Sequence, residues 1–344
     1  MPKGRTCSYI ALMKTTGMGL GPRRLQKKLF LTEARWVLRP SGCMAQLGFD
    51  HDNVHLHSVE TSSLTSDMRR SSMTYRLFEG KQHAEEYLKF RVSPPDHLIQ
   101  KVVDFVEKKK GRPFDLALDV GCGSGQGSVL LAKHFASVVA TDISPAQIEM
   151  AMAVPNVTYK VSTAEDLPTP SGSVDLVTAM SAFHWFDRPR FLQEAHRVLK
   201  PRGCLALLNY TLNMELNREG CCSDTLNAIC EEFYVALRKH VSAHLGTTSK
   251  PLYQESYEAI PYPDKEWHDC LRVSKTVPLS GFIGMVESFS SYQTLLKKDP
   301  VEARRLSDQT TNRLMSAMKV TSPDTEVVVD VKYFYVLACK PAED

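Results

Sequence analysis

Apolar residues along this chain recur with two periods. From residue 96 onward short apolar runs alternate with amphipathic stretches. "DHLIQKVVDFVEKKKG" sets Leu98, Val102, Phe105 and Val106 at helical spacing, and Gly111 follows as a stop. "FDLALDVG" predicts a strand, "GQGSVLLAKHFA" a helix and "SVVATDIS" a second strand. "SPAQIEMAM" opens another helix, with Ser144 as N-cap and Pro145 at the first helical position. "VTYKVSTAEDLP" and "VDLVTAMSAFHWF" each predict a strand and a loop, "DRPRFLQEAHRVLKPRG" a helix and "CLALLNY" a fifth strand. This alternation implies a parallel sheet covered by helices on both faces. Beyond it, "DTLNAICEEFYVALRKHVSAHL", "SGFIGMVESFSSYQTLLKKD" and "PVEARRLSDQTTNRLMSAM" predict helices. "CLRVSKTVPL" and "EVVVDVKYFYVLACK" predict strands.

Composition sets the outer bounds. At 344 residues, 43% hydrophobic and 24% charged, the chain can bury a sizeable core. It has no run of about eighteen apolar residues, so no membrane span is expected. The net charge of +3 conceals an uneven distribution. Residues 1–72 carry 11 Lys and Arg against 5 Asp and Glu, whereas the remainder carries 31 against 34. The body therefore has no global attraction to nucleic acid, and no nucleic-acid partner is expected. Residues 1–72, basic and bearing Ser and Thr, read as a disordered or targeting-like extension. Residues 73–344 read as the folded domain. Nine cysteines without a C-x-x-C pair or a His/Cys ligand spacing argue against a metal site and fit a reducing compartment. The expected location is cytoplasmic, or mitochondrial if residues 1–72 act as a transit peptide.

The chemistry concentrates after the first strand. Asp119-Val-Gly121-Cys-Gly123-Ser-Gly125 spells D-x-G-x-G-x-G between a strand and a helix. Glycines there let the backbone turn and approach a ligand, and the helix contributes unpaired N–H groups. The dinucleotide fingerprint G-x-G-x-x-G fails in both registers, because its last position falls on Gln126 or Ser128. Asp142 ends the second strand, 21 residues after Gly121, and a carboxylate there can accept from two ribose hydroxyls. That acid alone does not exclude a nicotinamide cofactor.

Taken together, the loop, Asp142, "STAEDLP" and "DLVTAMSAFHWFD…FLQEAHRVLKPRG", in order over residues 115–208, resemble the class I S-adenosylmethionine-dependent methyltransferases. The resemblance implies an α/β Rossmann-like fold: a mostly parallel seven-stranded sheet, an antiparallel last strand and helices on both faces. It implies S-adenosyl-L-methionine as cofactor, held by Asp119, Gly121, Gly123, Gly125, Asp142, Ile143, Ala164, Glu165 and Asp166. It divides the domain into a cofactor-binding core over 100–210 and substrate-side helices and last strands over 211–344. "HAEEYLKFRVSPP", "SAFHWFD" and "LSGFIGMVESFSSYQ" narrow the similarity to the trans-aconitate methyltransferase and type 11 methyltransferase group. "RVSPP" departs from that group's tighter Arg-Pro pattern.

By this analogy Tyr87 and Arg91 close over the cofactor's methionine end or over an acidic substrate, and His184 orients or deprotonates the nucleophile. The same residue types also occur as a surface Tyr and Arg on a helix and as a structural loop histidine. Trp185 reads as core or pocket wall. The expected activity is methyl transfer to a small, acidic molecule, with O-methylation of a carboxylate the simplest form. A protein methyltransferase and a non-catalytic cofactor-binding module stay open as alternatives.

Overall fold

The computed structural model describes residues 94–241 and 249–342, together with the backbone of two short strands, Arg35–Leu38 and Met44–Leu47. Those two strands pair antiparallel and belong to a compact unit of residues 1–71; residues 72–344 form the second unit. Apart from these eight residues, the expectations for the basic extension lie outside the described residues.

In the second unit, α1 (Asp96–Lys110) leads into β1 (Leu116–Val120), α2 (Gln126–Leu131), β2 (Ser137–Asp142), α3 (Pro145–Glu149) and β3 (Val157–Val161). β4 (Val174–Met180) follows, then a single 3-10 turn at Phe183–Trp185, α4 (Arg188–Val198) and β5 (Leu199–Tyr210). The rest runs β6 (Glu215–Asn217), α5 (Ser223–Arg238), α6 (Lys250–Ala259), β7 (Asp264–Pro278), α7 (Leu279–Glu287), α8 (Ser290–Lys298), α9 (Pro300–Met318) and β8 (Glu326–Cys339).

The strands lie in the order β3-β2-β1-β4-β5-β8-β6, with β7 on the other side of β8. β1 to β5 pair in parallel, and β8 is antiparallel to β5. The chain moves outward from β1 to β3, then returns to β1's other side with β4. The switch point therefore falls between the carboxyl ends of β1 and β4, where open α/β sheets bind ligands. Seven strands were expected and eight are present. The extra one, β6, has three residues, and it exists because β8 outruns β5. Tyr333–Cys339 pair with β5, and Val328–Asp330 then pair with β6.

Alternation sorts the core onto two faces. On β5, Cys204, Ala206 and Leu208 face a cluster with α1, α5 and α7 to α9. Leu205 and Leu207 face a second cluster with Phe191 and Val198 of α4 and Tyr253 of α6. α3 starts as its sequence predicts, with Ser144 Oγ accepting from the Gln147 N–H at 3.4 Å. Three sequence expectations differ. α6 was not anticipated, because it buries only Tyr253 and Ser256 and shows no apolar stripe. The helix expected over "SGFIGMVESFSSYQTLLKKD" breaks at extended Phe289 into α7 and α8. β7 begins six residues before Cys270, where a left-handed φ of 65° interrupts the alternation of a charged edge strand.

At the amino end of β4, fully buried Asp175 ties the two central strands together. It accepts from the N–H groups of Asp115 at 2.6 Å and Leu116 at 3.0 Å, and pairs with Lys200 at 2.9 Å and Lys110 at 3.1 Å. Burial opposes its charge. The hydrogen bonds from Lys200, the two amides and Lys110 outweigh that and hold its carboxyl below the ordinary range. Asp175→Asn should cost about 2–4 kcal/mol, somewhat under a fully buried pair because both lysines keep some solvent. A depressed folded pKa contributes stability that is present above the unfolded value of about 3.9 and lost as pH falls through the folded value. Urea titrations should therefore show the wild-type advantage at neutral pH shrinking below about pH 4. An equal difference at all pH values would mean that the charge is not the source.

Candidate active site

The switch point forms a cleft. β1 contributes Asp119, the following loop Gly121 and Cys122, and the first turn of α2 Gln126 and Gly127. Met180 and Ser181 come from the end of β4, and Asn209 and Tyr210 from the end of β5. Gly121, Gly123 and Gly125 have φ of 69°, 56° and 89°, all left-handed, which L-residues adopt at a cost. A Cβ on Gly125 would in addition overlap the Tyr159 hydroxyl. Gly-rich sequence here thus buys a loop whose backbone is exposed to the cleft.

Asp142 organises this loop. Its Oδ2 accepts from the Gly123 N–H at 2.9 Å, and its Oδ1 from the Ser144 N–H at 2.9 Å. The Ser162 N–H donates to the Asp142 carbonyl at 3.0 Å, which draws the loop after β3 alongside. Ile143 follows Asp142 directly. Ala164 is buried, Glu165 Oε1 accepts from the Asp187 N–H at 2.8 Å, and Asp166 is exposed. Every proposed cofactor residue therefore lies at the carboxyl end of β1, β2 or β3, and Glu165 is engaged in holding the start of α4.

Asp119 is 1% exposed. Its carboxylate accepts from Ser128 Oγ at 2.6 Å and Thr178 Oγ1 at 2.8 Å, which joins β1, α2 and β4 at their ligand-facing ends. Burial pushes its carboxyl up to about 6 against the pull of those two hydroxyls, and the neighbouring Asp142 charge adds to the rise. Burial also raises Asp142, opposed by the N–H groups of Ser144, Gly123 and Ile143. Among the described residues lining the cleft, none is Lys, Arg or His. Asp119 is the acid in that lining and Asp142 is tied to Gly123 of the same loop, so the charge near the cleft disfavours a pyrophosphate and favours a positive ligand. The residues thus fit a sulfonium cofactor with ribose hydroxyls on Asp142, and fit a dinucleotide poorly.

His184 lies in the turn after β4. Its Nδ1 is 3.3 Å from Asn209 Nδ2 and 3.5 Å from the hydroxyl of fully buried Tyr253, and Asn209 Nδ2 donates to Ser249 Oγ at 2.8 Å. Tyr87 and Arg91 lie outside the described residues. Sequence reasoning missed Asn209 and Tyr210, although "LLNY" ends a predicted strand at the sheet's ligand-facing edge. It also missed Ser181, whose φ of 57° marks strain at the cleft and which nothing local in the sequence announces.

Tyr210 is also a wall of a second cavity of about 340 Å³. Its other walls come from the segment after β5, the last turns of α5, Ser249 and Lys250, the α7–α8 junction, and Lys332 and Phe334 of β8. Among the described residues, no group of His, Cys, Asp and Glu is arranged to hold a metal ion, and no helix is long and apolar enough to cross a membrane.

Residues 118–207 match the Methyltransf_11 family of methyltransferase domains. A Dictyostelium discoideum protein named as a methyltransferase is 29% identical over 262 residues, 75% of this chain and 93% of the relative. A malonyl-[acyl-carrier protein] O-methyltransferase from Hahella chejuensis is 42% identical over 164 residues, 45% of this chain and 53% of the relative. A solved structure bearing the name of a type II methyltransferase, from Anaeromyxobacter dehalogenans, superposes with a TM-score of 0.59 at 27% identity. It covers 73% of this chain and 99% of that one.

Two measurements test the site. Asp142→Ala should weaken S-adenosylhomocysteine by about 1.5–3 kcal/mol in calorimetry, and Gly123→Val should abolish binding through backbone strain. Unchanged affinity in both folded variants would place the cofactor elsewhere. The second concerns pH. A positive ligand favours ionised Asp119, whose carboxyl titrates near 6. Affinity for S-adenosylmethionine should therefore grow as pH rises through about 6 and level off above it, and Asp119→Asn should flatten the profile.

Proposed function

This chain is a class I S-adenosylmethionine-dependent methyltransferase of the type 11 group, and from that premise we propose that it methylates an oxygen of a small organic acid, most directly a carboxylate. The observation that carries the reading is the cavity beside Tyr210. At about 340 Å³ it suits a small molecule, and among the described residues lining it the charged ones, Arg238, Lys250 and Lys332, are basic. A relative named for O-methylation of a malonyl group is consistent with a carboxylate acceptor.

Bound S-adenosylmethionine supplies an electrophilic methyl on a positive sulfur. The chain's own task is alignment, which can supply much of the rate enhancement of an in-line displacement. Asp119 and Asp142 favour the positive ligand and fix its orientation. An anionic oxygen is drawn toward the same positive charge, and a carboxylate needs no general base. The Asn209 amide nitrogen can only donate, so its approach to His184 Nδ1 at 3.3 Å favours the tautomer with the ring proton on Nε2, and the Tyr253 hydroxyl lies 3.5 Å from the same nitrogen. In that tautomer His184 orients an acceptor oxygen rather than deprotonating it. Tyr87 and Arg91, outside the described residues, are assigned to the acceptor by the family resemblance alone, and a guanidinium fork suits a carboxylate.

Isotope transfer from labelled S-adenosylmethionine into a panel of organic acids tests this. The product should be a methyl ester that releases methanol in base. Arg91→Lys should lower turnover, since it keeps the charge and loses the planar fork, and should leave S-adenosylhomocysteine affinity unchanged. Transfer confined to peptides or nucleic acid, with none to any acid, would overturn the reading.

A further inference from the structure

The cavity says more about the acceptor than its acidity, on the premise that this is the acceptor's chamber. It is joined to the cleft in two ways. Tyr210 lines both spaces, and Asn209 of the cleft donates to Ser249 of the cavity wall at 2.8 Å. Its walls are of two kinds. Tyr234, Leu237, Phe289 and Phe334 are each buried and present aromatic or aliphatic surface. Among the described residues lining the space, the charged ones are Arg238, Lys250 and Lys332, and none is an acid. Each cation does have an acidic partner: Glu231 for Arg238, Asp269 at 2.6 Å for Lys250, and Glu215 for Lys332. None of these acids is in the lining. Asp269 and Glu231 are about half exposed, and ion pairs in such settings contribute little. An anion inside the cavity can therefore recruit Lys250 and Arg238 without breaking a strong interaction.

A small tricarboxylate would meet this chamber badly. Its carboxylates would lie against Tyr234 and Phe289, where charge is costly to desolvate. An acid with a single carboxylate would use the apolar walls, but it would leave the basic residues unused once its oxygen had turned to the cleft. We propose that the acceptor is a dicarboxylic acid with an apolar spacer. One carboxylate is presented at Tyr210 for methylation. The spacer packs against Tyr234, Leu237 and Phe289, and the second carboxylate is held by Lys250 with Lys332 and Arg238 nearby. The transfer forms an O–CH3 bond to the presented carboxylate and breaks the S–CH3 bond, with the electron pair returning to sulfur. No proton is released, and the second carboxylate keeps its charge.

The test is calorimetry on the full-length protein saturated with S-adenosylhomocysteine, with four probes: suberate, octanoate, 1,8-octanediol and citrate. Suberate should bind tightest, with octanediol weaker by on the order of ten- to hundredfold, the worth of a charge-assisted hydrogen bond. Lys250→Glu should weaken suberate by a similar factor, reduce octanoate less, and leave S-adenosylhomocysteine affinity unchanged. Lys250→Arg should restore suberate binding. Octanediol or citrate equal to suberate would overturn the proposal, and so would suberate binding indifferent to Lys250→Glu. Ester formation is measured separately. Suberate bound in this pattern without ester formation would refute carboxylate methylation and leave the binding inference standing. Ester formation indifferent to the Lys250 variants would do the reverse.

Discussion

A carboxylate at the end of a central strand has to be reconciled with burial, and Asp119 shows how this chain does it. No ammonium or guanidinium among the described residues contacts it. Ser128 and Thr178 hydroxyls satisfy it instead, one from the helix that follows the glycine loop and one from the neighbouring strand. The solution stabilises the charge only partly, which is why the carboxyl is left near 6. The same arrangement locks β1, β4 and α2 in register at the point where the chain reverses its direction across the sheet. With Asp142 close by and pinned to Gly123, the cleft has negative potential and a backbone that can be approached closely. A positively charged cofactor completes the electrostatics that the protein leaves open.

The opposite end of the same two strands is handled differently. Asp175, also buried, is surrounded by Lys110, Lys200 and two backbone amides, and its carboxyl lies below the ordinary range. Both acids are at the ends of the central strand pair. The one with cations stabilises the fold, and the one without them faces the ligand. The division is readable from what surrounds each residue, and burial alone does not distinguish them.

Much of this was legible in the sequence because the central elements are decided by local pattern. A buried parallel strand needs a continuous apolar run, and "LALDV", "VDLVTAM" and "CLALLNY" supply it. The glycine loop and Asp142 were legible because positive φ and hydroxyl recognition each demand particular residue types. Legibility failed where tertiary context decides. α6 carries few apolar residues, and it is anchored by buried Tyr253 with partly buried Tyr257 one turn on. The break before α8 depends on Phe289 turning inward to be buried, and "ESFSSYQ" carries no helix breaker. The extra strand β6 follows from the length of β8. Ser181 and Asn209 reach the cleft because strands β4 and β5 end together there, with the Ser181 N–H donating to the Leu208 carbonyl at 2.8 Å. Register of that kind is not written in either strand alone.

β8 carries the consequence furthest. It is the long antiparallel strand that closes the sheet, and consecutive residues serve different spaces: Tyr333 lines the cleft, while Lys332 and Phe334 line the second cavity. From β5, Tyr210 belongs to both. The cofactor end of the site is therefore built from β1, β2 and their loops, whose residue types are constrained by charge and backbone conformation. The cavity proposed for the acceptor is built from the end of β5, the middle of β8, α5 and the α7–α8 junction, none of which carries Asp119, Asp142 or the glycine loop. The match to methyltransferase domains covers residues 118–207, which hold the glycine loop and Asp142, and ends before the cavity's first wall residue, Tyr210.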